Sequence, residues 1–154
     1  MKTGFRIGDF ELTWLNGGNF ELDGGAMFGV VPKVLWQKRY PPSEDHYIPL
    51  TAWPILVKTP GDLVLIESGI GTKLTDKQKK IYRIKEDWSV VAELGQLGIG
   101  RDDIDLVVLT HYDFDHAGGV VMQSDAGDLA LTFPKAKHIS QKREWEVVLK
   151  PNIR

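Results

Sequence analysis

Cysteine is absent from the 154 residues, which excludes disulfides, iron–sulfur clusters and a thiol nucleophile. No apolar run is long enough to span a bilayer. The first residues, Met1-Lys2-Thr3-Gly4-Phe5-Arg6, lack the apolar centre of a secretory leader, so a cytoplasmic protein is expected. An excess of one charge is missing too: 19 Lys and Arg stand against 21 Asp and Glu, a net charge of -2. The Lys77-Gln78-Lys79-Lys80 run is too short for a nucleic-acid patch and reads as a solvated helix face. Neither nucleic acid nor a membrane is expected as a partner. Repeats, low-complexity tracts and linkers are also missing. Histidine is scarce, with four in all, yet two of them, His111 and His116, lie five positions apart.

What is present describes one globular domain over residues 1–154, with 42% hydrophobic residues for a core. Phe5-Arg6-Ile7 and Phe10 to Leu15 flank Gly8-Asp9, a two-residue hairpin signal. A turn at 16–19 leads to a strand over Phe20-Glu21-Leu22. The segment from Asp23 to Pro54 is rich in Gly, Pro and aromatics and reads as a packed surface loop or part of a binding wall. Ile48 to Lys58 looks extended, and Thr59-Pro60-Gly61-Asp62 is a turn. Leu63-Val64-Leu65-Ile66 is apolar throughout, as in a strand covered on both faces. It ends in Glu67-Ser68-Gly69-Ile70-Gly71, which lacks the lysine and spacing of a P-loop. Helices are expected over Asp76–Ile84 and Val90–Leu97, the second with Ser89 as N-cap. Strands follow at Asp105–Thr110, Val120–Met122, Leu129–Phe133 and Ala136–Ile139, with a polar turn over 124–128. A helix over Gln141–Lys150 places Trp145, Val148 and Leu149 on one face. Strands alternating with helices make the class mixed α/β (α+β).

The segment 105–110 delivers Thr110-His111-Tyr112-Asp113-Phe114-Asp115-His116-Ala117-Gly118-Gly119. Imidazoles and carboxylates at the end of a buried strand are costly to desolvate unless something binds them, and a metal ion is the usual partner. His111 and Asp113, two apart, share a face in an extended stretch, whereas Asp115 and His116 are adjacent and diverge. That geometry suits two neighbouring metal sites: His111 with Asp113, and Asp115 with His116. All four are N or O donors, suited to zinc, iron or manganese. The bland alternative is a polar surface loop with Asp115 as an N-cap.

This stretch resembles the T-H-x-H-x-D-H-x-G-G signature of the metallo-β-lactamase superfamily. Leu63 to Gly71 is similar to the family's earlier strand ending in Asp-Thr-Gly, and Asp103 to Leu109 to its lead-in. Asp23 to Trp36 resembles the lactonase-like and hydrolase members. The resemblance implies an αββα sandwich, with His111 and Asp113 as ligands of a first metal and Asp115 and His116 of a second. It departs in two places. Asp113 stands where the family has a histidine, which makes the first site harder and moves it toward iron or manganese; flavodiiron proteins, a redox branch, carry Glu there. Glu67 replaces the usual Asp.

A dinuclear centre needs more donors than four, and the family's later ligands have no counterpart in these 154 residues. His138 and His46 read as structural or exposed. The chain is therefore expected to be the N-terminal half of the sandwich. Two divalent metal ions, zinc foremost, are implied, and the implied activity is hydrolysis of an ester, lactone or thioester through a metal-bound hydroxide. Asp115 would orient the nucleophile, and Met27, Phe28 and Trp36 would form an apolar wall for a small-molecule substrate. The alternatives are a diiron redox protein and a truncated, non-catalytic module. An uncovered half-sandwich should self-associate or recruit a C-terminal half from another chain.

Overall fold

A computed structural model describes residues 4–123 and 127–151. The chain opens on a hairpin, β1 (Gly4–Ile7) and β2 (Phe10–Trp14), turned at Gly8, whose φ of 58° is left-handed. The third strand, β3 (Asn19–Asp23), pairs antiparallel with β4 (Tyr47–Thr51) in a separate two-stranded sheet. Between them the expected loop contains two short helices, α1 (Gly24–Phe28) and α2 (Lys33–Trp36). Helical periodicity is hard to see over four or five residues, but the start of α1 has a local cause. The Asp23 side chain accepts from the Ala26 amide at 2.8 Å, an N-cap bond.

The extended stretch over 48–58 is two strands, because Ala52-Trp53-Pro54 interrupts it before β5 (Ile55–Lys58). Next come β6 (Leu63–Ile66), α3 (Asp76–Ile81), α4 (Val90–Gln96), a 3-10 turn at Arg101–Asp103 and β7 (Leu106–Val108). The last elements are α5 (Phe114–Ala117), the pair β8 (Val121–Gln123) and β9 (Leu129–Leu131), then β10 (Lys137–Ile139) and α6 (Lys142–Leu149). Part of the expected turn at 124–128 and the first three residues lie outside the described residues.

The main sheet has six strands in the order β1-β2-β5-β6-β7-β10. Its first half is antiparallel; β6, β7 and β10 run parallel. That change follows from the connections. Hairpins link the early strands, while α3 and α4 carry the chain from β6 back to the start of β7. The main core forms where α4 packs on the sheet: Val90 and Leu94 meet Leu15, Leu56, Leu65 and Val107, with Phe133 closing the edge. Each such side chain, fully buried, contributes roughly 1.5–3 kcal/mol. A smaller cluster of Phe20, Ala52 and Ile70 takes in Trp88 and Phe114 and joins the β3–β4 pair to the strand ends.

Two expectations need adjustment. In β6 only Leu65 is fully buried, so the strand is not covered on both faces. Ser89 holds the N-cap position of α4, but its side chain caps no backbone amide. It donates instead to Glu93 Oε1 at 3.3 Å, and Glu93 also accepts from the Asn16 amide at 3.3 Å.

Candidate metal centre

The site lies where the parallel strands β6 and β7 end side by side. Glu67 continues the ladder by donating its amide to the Val108 carbonyl at 2.9 Å. Past β7, Leu109 is still buried, and from Thr110 the chain leaves the sheet. His111 to Asp113 cross the sheet edge, and α5 starts immediately. The Asp113 carbonyl accepts from the His116 and Ala117 amides at 3.0 and 2.9 Å. This single turn returns the chain beneath the sheet edge, where it is locked to the segment after β6. The His116 carbonyl accepts from the Ser68 amide at 2.7 Å and the Ser68 hydroxyl at 2.8 Å. Gly119 donates to the Gly69 carbonyl at 2.9 Å. Glycine is required on both sides of this contact: a Cβ on Gly71 would collide with the Gly118 carbonyl, and one on Gly118 with the carbonyls of Ile70 and Phe114.

On this frame the four predicted side chains fall into the two expected pairs. His111 Nε2 is 3.5 Å from Asp113 Oδ2, and His116 Nε2 is 3.4 Å from Asp115 Oδ2. The one-turn helix brings the adjacent Asp115 and His116 side chains together, where an extended chain would separate them. The rings of His111 and His116 lie with centroids 3.9 Å apart, so the two pairs share one locus. Asp113 is the most exposed of the four, and the other three are partly buried.

Glu67 is the site residue whose role the sequence only hinted at. Its φ of 62° is left-handed, uncommon for a side chain of this size. One carboxylate oxygen, Oε1, accepts from the Thr110 amide at 3.0 Å. The other, Oε2, stands 3.4 Å from His116 Nδ1. Both Oε2 and Nδ1 are buried without a hydrogen-bond partner. His111 Nδ1, by contrast, has a hydrogen-bond partner, Thr110 Oγ1 at 2.8 Å. Each imidazole thus has Nδ1 turned to the protein and Nε2 turned to a carboxylate, the orientation in which carboxylates and hydroxyls set a ligand tautomer.

Two aromatic residues of the motif are structural. Tyr112 shares a 2.6 Å hydrogen bond with the Ser140 hydroxyl. Phe114 stacks on Tyr82 with centroids 4.0 Å apart and meets Phe20 edge-on. Lys73 reaches under the loop and donates to the carbonyls of Gly118 and Val121, and burial lowers its pKa. His46 is exposed and contacts Lys33, while His138 lies in β10 with Nε2 buried and unpartnered. Phe28 stacks on Trp36 at 4.8 Å and meets Tyr40 at 5.9 Å. Met27 is half exposed. Among the described residues, this aromatic cluster makes no ring contact, hydrogen bond or ion pair with His111 to His116.

The donor chemistry fits a divalent metal: two imidazole nitrogens and two carboxylates, with buried unpartnered atoms behind them. Among the described residues, however, no group of three or more such side chains is arranged to hold one ion.

Residues 47–150 match the family model described as the metallo-beta-lactamase superfamily, and the chain belongs to that family. A solved structure from Staphylococcus aureus, described as a probable metal-dependent hydrolase, shares 42% identity with a TM-score of 0.90. The likeness covers 97% of this chain and 53% of that one. A probable metallo-hydrolase of Mycobacterium tuberculosis is 26% identical, over 84% of this chain and 43% of the relative. An N-acyl homoserine lactonase of Azorhizobium caulinodans is 35% identical, over 45% of this chain and 22% of the relative. The chain therefore spans about half the length of the first two and forms a half-length module of the metallo-β-lactamase fold.

Proposed function

We propose that this module contributes one half of the metal centre of a hydrolase acting on an ester, lactone or thioester. The observation that carries the reading is the paired donor geometry at the sheet edge, two His–Asp pairs in which each Nε2 faces its carboxylate. His111 and Asp113 would hold one divalent ion, Asp115 and His116 the other, zinc first and iron or manganese next. Bound metals of this kind supply Lewis acidity toward a carbonyl and lower the pKa of water.

The chain's own residues do the rest. Glu67 and Thr110 hold the imidazoles so that Nε2 faces the site. Ser68 fixes the turn that carries His116. Asp115 would help to orient the attacking water toward the substrate carbonyl. The similarity to a lactonase over 69 residues supports a lactone among the ester-like substrates. Met27, Phe28 and Trp36 would offer an apolar wall to the acyl part of the substrate; Phe28 and Trp36 are already stacked as one surface.

The remaining donors would come from outside this chain segment, through self-association or a C-terminal half. Exposed apolar side chains on β9 and α6, among them Leu129, Trp145 and Leu149, support such a contact. The decisive experiment is metal analysis of the full-length protein beside His116→Ala, with assays on lactone and thioester panels. Loss of about one metal equivalent in the variant and hydrolysis of one ester class by the wild type are expected. A metal-loaded protein inert on every ester class would overturn the reading. Bound iron with reductant-dependent consumption of oxygen would favour the diiron alternative that Asp113 suggests.

A further inference from the structure

We infer that Tyr112 and Ser140 form a clamp that positions His111 and Asp113, so that the two donor pairs are held by different means. The inference rests on the reading of these pairs as a metal centre. Tyr112 stands between the first two donors. His111 Nε2 and Asp113 Oδ2 lie 3.5 Å apart, so those two side chains share a face. Tyr112 is turned to the protein instead: its ring packs against the main core and lies 6.0 Å from the ring of Trp145. Its hydroxyl shares the 2.6 Å hydrogen bond with Ser140. Ser140 is in reach because β10 runs parallel to β7, with Ile139 opposite Val108. Leu109 extends that pairing by donating to the Ile139 carbonyl at 2.9 Å. Both strands therefore end at one sheet edge, and Ser140 is the first residue past β10.

The second pair does not need such a clamp. Asp115 and His116 lie on α5, and the His116 carbonyl accepts from both the amide and the hydroxyl of Ser68. Gly119 adds its bond to the Gly69 carbonyl. The crossing that carries His111 and Asp113 is held by backbone groups only at its ends. The Thr110 amide donates to Glu67 Oε1, and the Asp113 carbonyl accepts from the first turn of α5. Between those ends, among the described residues, the amides of His111, Tyr112 and Asp113 donate no hydrogen bond. The Tyr112 hydroxyl is the tether there. A partly buried phenol needs a polar partner, and this partner fixes the ring, which in turn fixes the backbone between the two donors. Ligand sets tolerate displacements of only about 0.5 Å, so a ring free to slide in the core would disturb His111 and Asp113 together.

The test is cobalt(II) binding to the full-length protein, followed by visible absorption and chelator competition. Asp113→Asn and His116→Ala identify the binding step that belongs to each pair. Tyr112→Phe keeps the ring in the core and removes only the hydroxyl; Ser140→Ala removes its partner. Each should weaken the step that Asp113→Asn weakens by about tenfold and leave the step lost in His116→Ala unchanged. Ser140→Thr, which keeps a hydroxyl, should bind as wild type does. Tyr112→Phe combined with Ser140→Ala should be no weaker than either alone, because both remove the same bond. Equal weakening of both steps, as a general loosening of the fold would give, overturns the inference. So do additive effects of the two single variants, or a wild type that binds two ions and a Tyr112→Phe variant that binds them equally well. A wild type that binds no cobalt overturns the metal-centre reading itself, and the clamp with it.

Discussion

Glu67 holds an unfavourable backbone conformation in order to serve two partners at the sheet edge. A left-handed φ costs a non-glycine residue on the order of 1 kcal/mol or more, and here it is offset by the Thr110 amide on one oxygen and the approach of His116 Nδ1 to the other. Glu67→Gln keeps the acceptor for Thr110 but removes the charge facing His116. Metal affinity, measured by chelator competition, should fall roughly 10–100-fold with little change in melting temperature. Lys73 is the second residue with an unusual assignment, a partly buried ammonium bonded to two carbonyls. Lys73→Ala leaves those carbonyls without their donor and should cost about 1–3 kcal/mol in urea titrations.

At the scale of elements, α5 is held by close approach more than by its own propensity, since a single turn is not stable alone. Gly71→Ala tests this. The new Cβ would press on the Gly118 carbonyl at a position whose φ is 66°. A loss of at least about 2 kcal/mol is expected, read as a lower melting temperature together with weaker metal retention, because the same contact seats His116.

A second device ties α3 to the β3–β4 pair. Arg83, at the end of α3, binds Asp45, reaches Glu21 at 3.4 Å and lies over the Tyr47 ring at 3.5 Å. Its guanidinium, mainly by hydrogen bonding, holds the Asp45 carboxyl well below the usual carboxylate range. A carboxyl with a depressed folded pKa contributes stability above its unfolded value, near 3.9, and that contribution fades as pH falls below it. Asp45→Asn should therefore lose stability at neutral pH and show a shallower decline than wild type in thermal melts taken from pH 5 downward. An equal decline in both would remove Asp45 from the acid response.

For the whole molecule, the relevant fact is that the chain spans about half of the relatives it resembles. Its main core, under α4, joins side chains from Leu15 to Phe133, so the module should unfold cooperatively. Its exposed apolar side chains on β1, β9 and α6 are scattered over several surfaces. We expect concentration-dependent self-association, or capture of a polypeptide bearing the remaining ligands, in light scattering coupled to size exclusion. A monomer that persists at high concentration would count against both.

Much of this was legible along the chain. The hairpin at Gly8-Asp9, the apolar runs of β6 and β7, and the ordered series His111, Asp113, Asp115 and His116 are local patterns, and local steric and hydrophobic rules suffice to read them. The αββα class followed from their resemblance to a known family. What the linear order could not carry is any relation between distant residues. The pairing of β6 with β7 places Glu67 beside His116, 49 positions on, and decides which nitrogen of that ring faces the site. The folding of residues 24–36 into two short helices buries Trp36 while leaving Val30 and Leu35 in solvent, a division that composition alone does not make. Residue type determined which donors the chain could offer; the close packing of glycines and carbonyls around a single helical turn determined where those donors point.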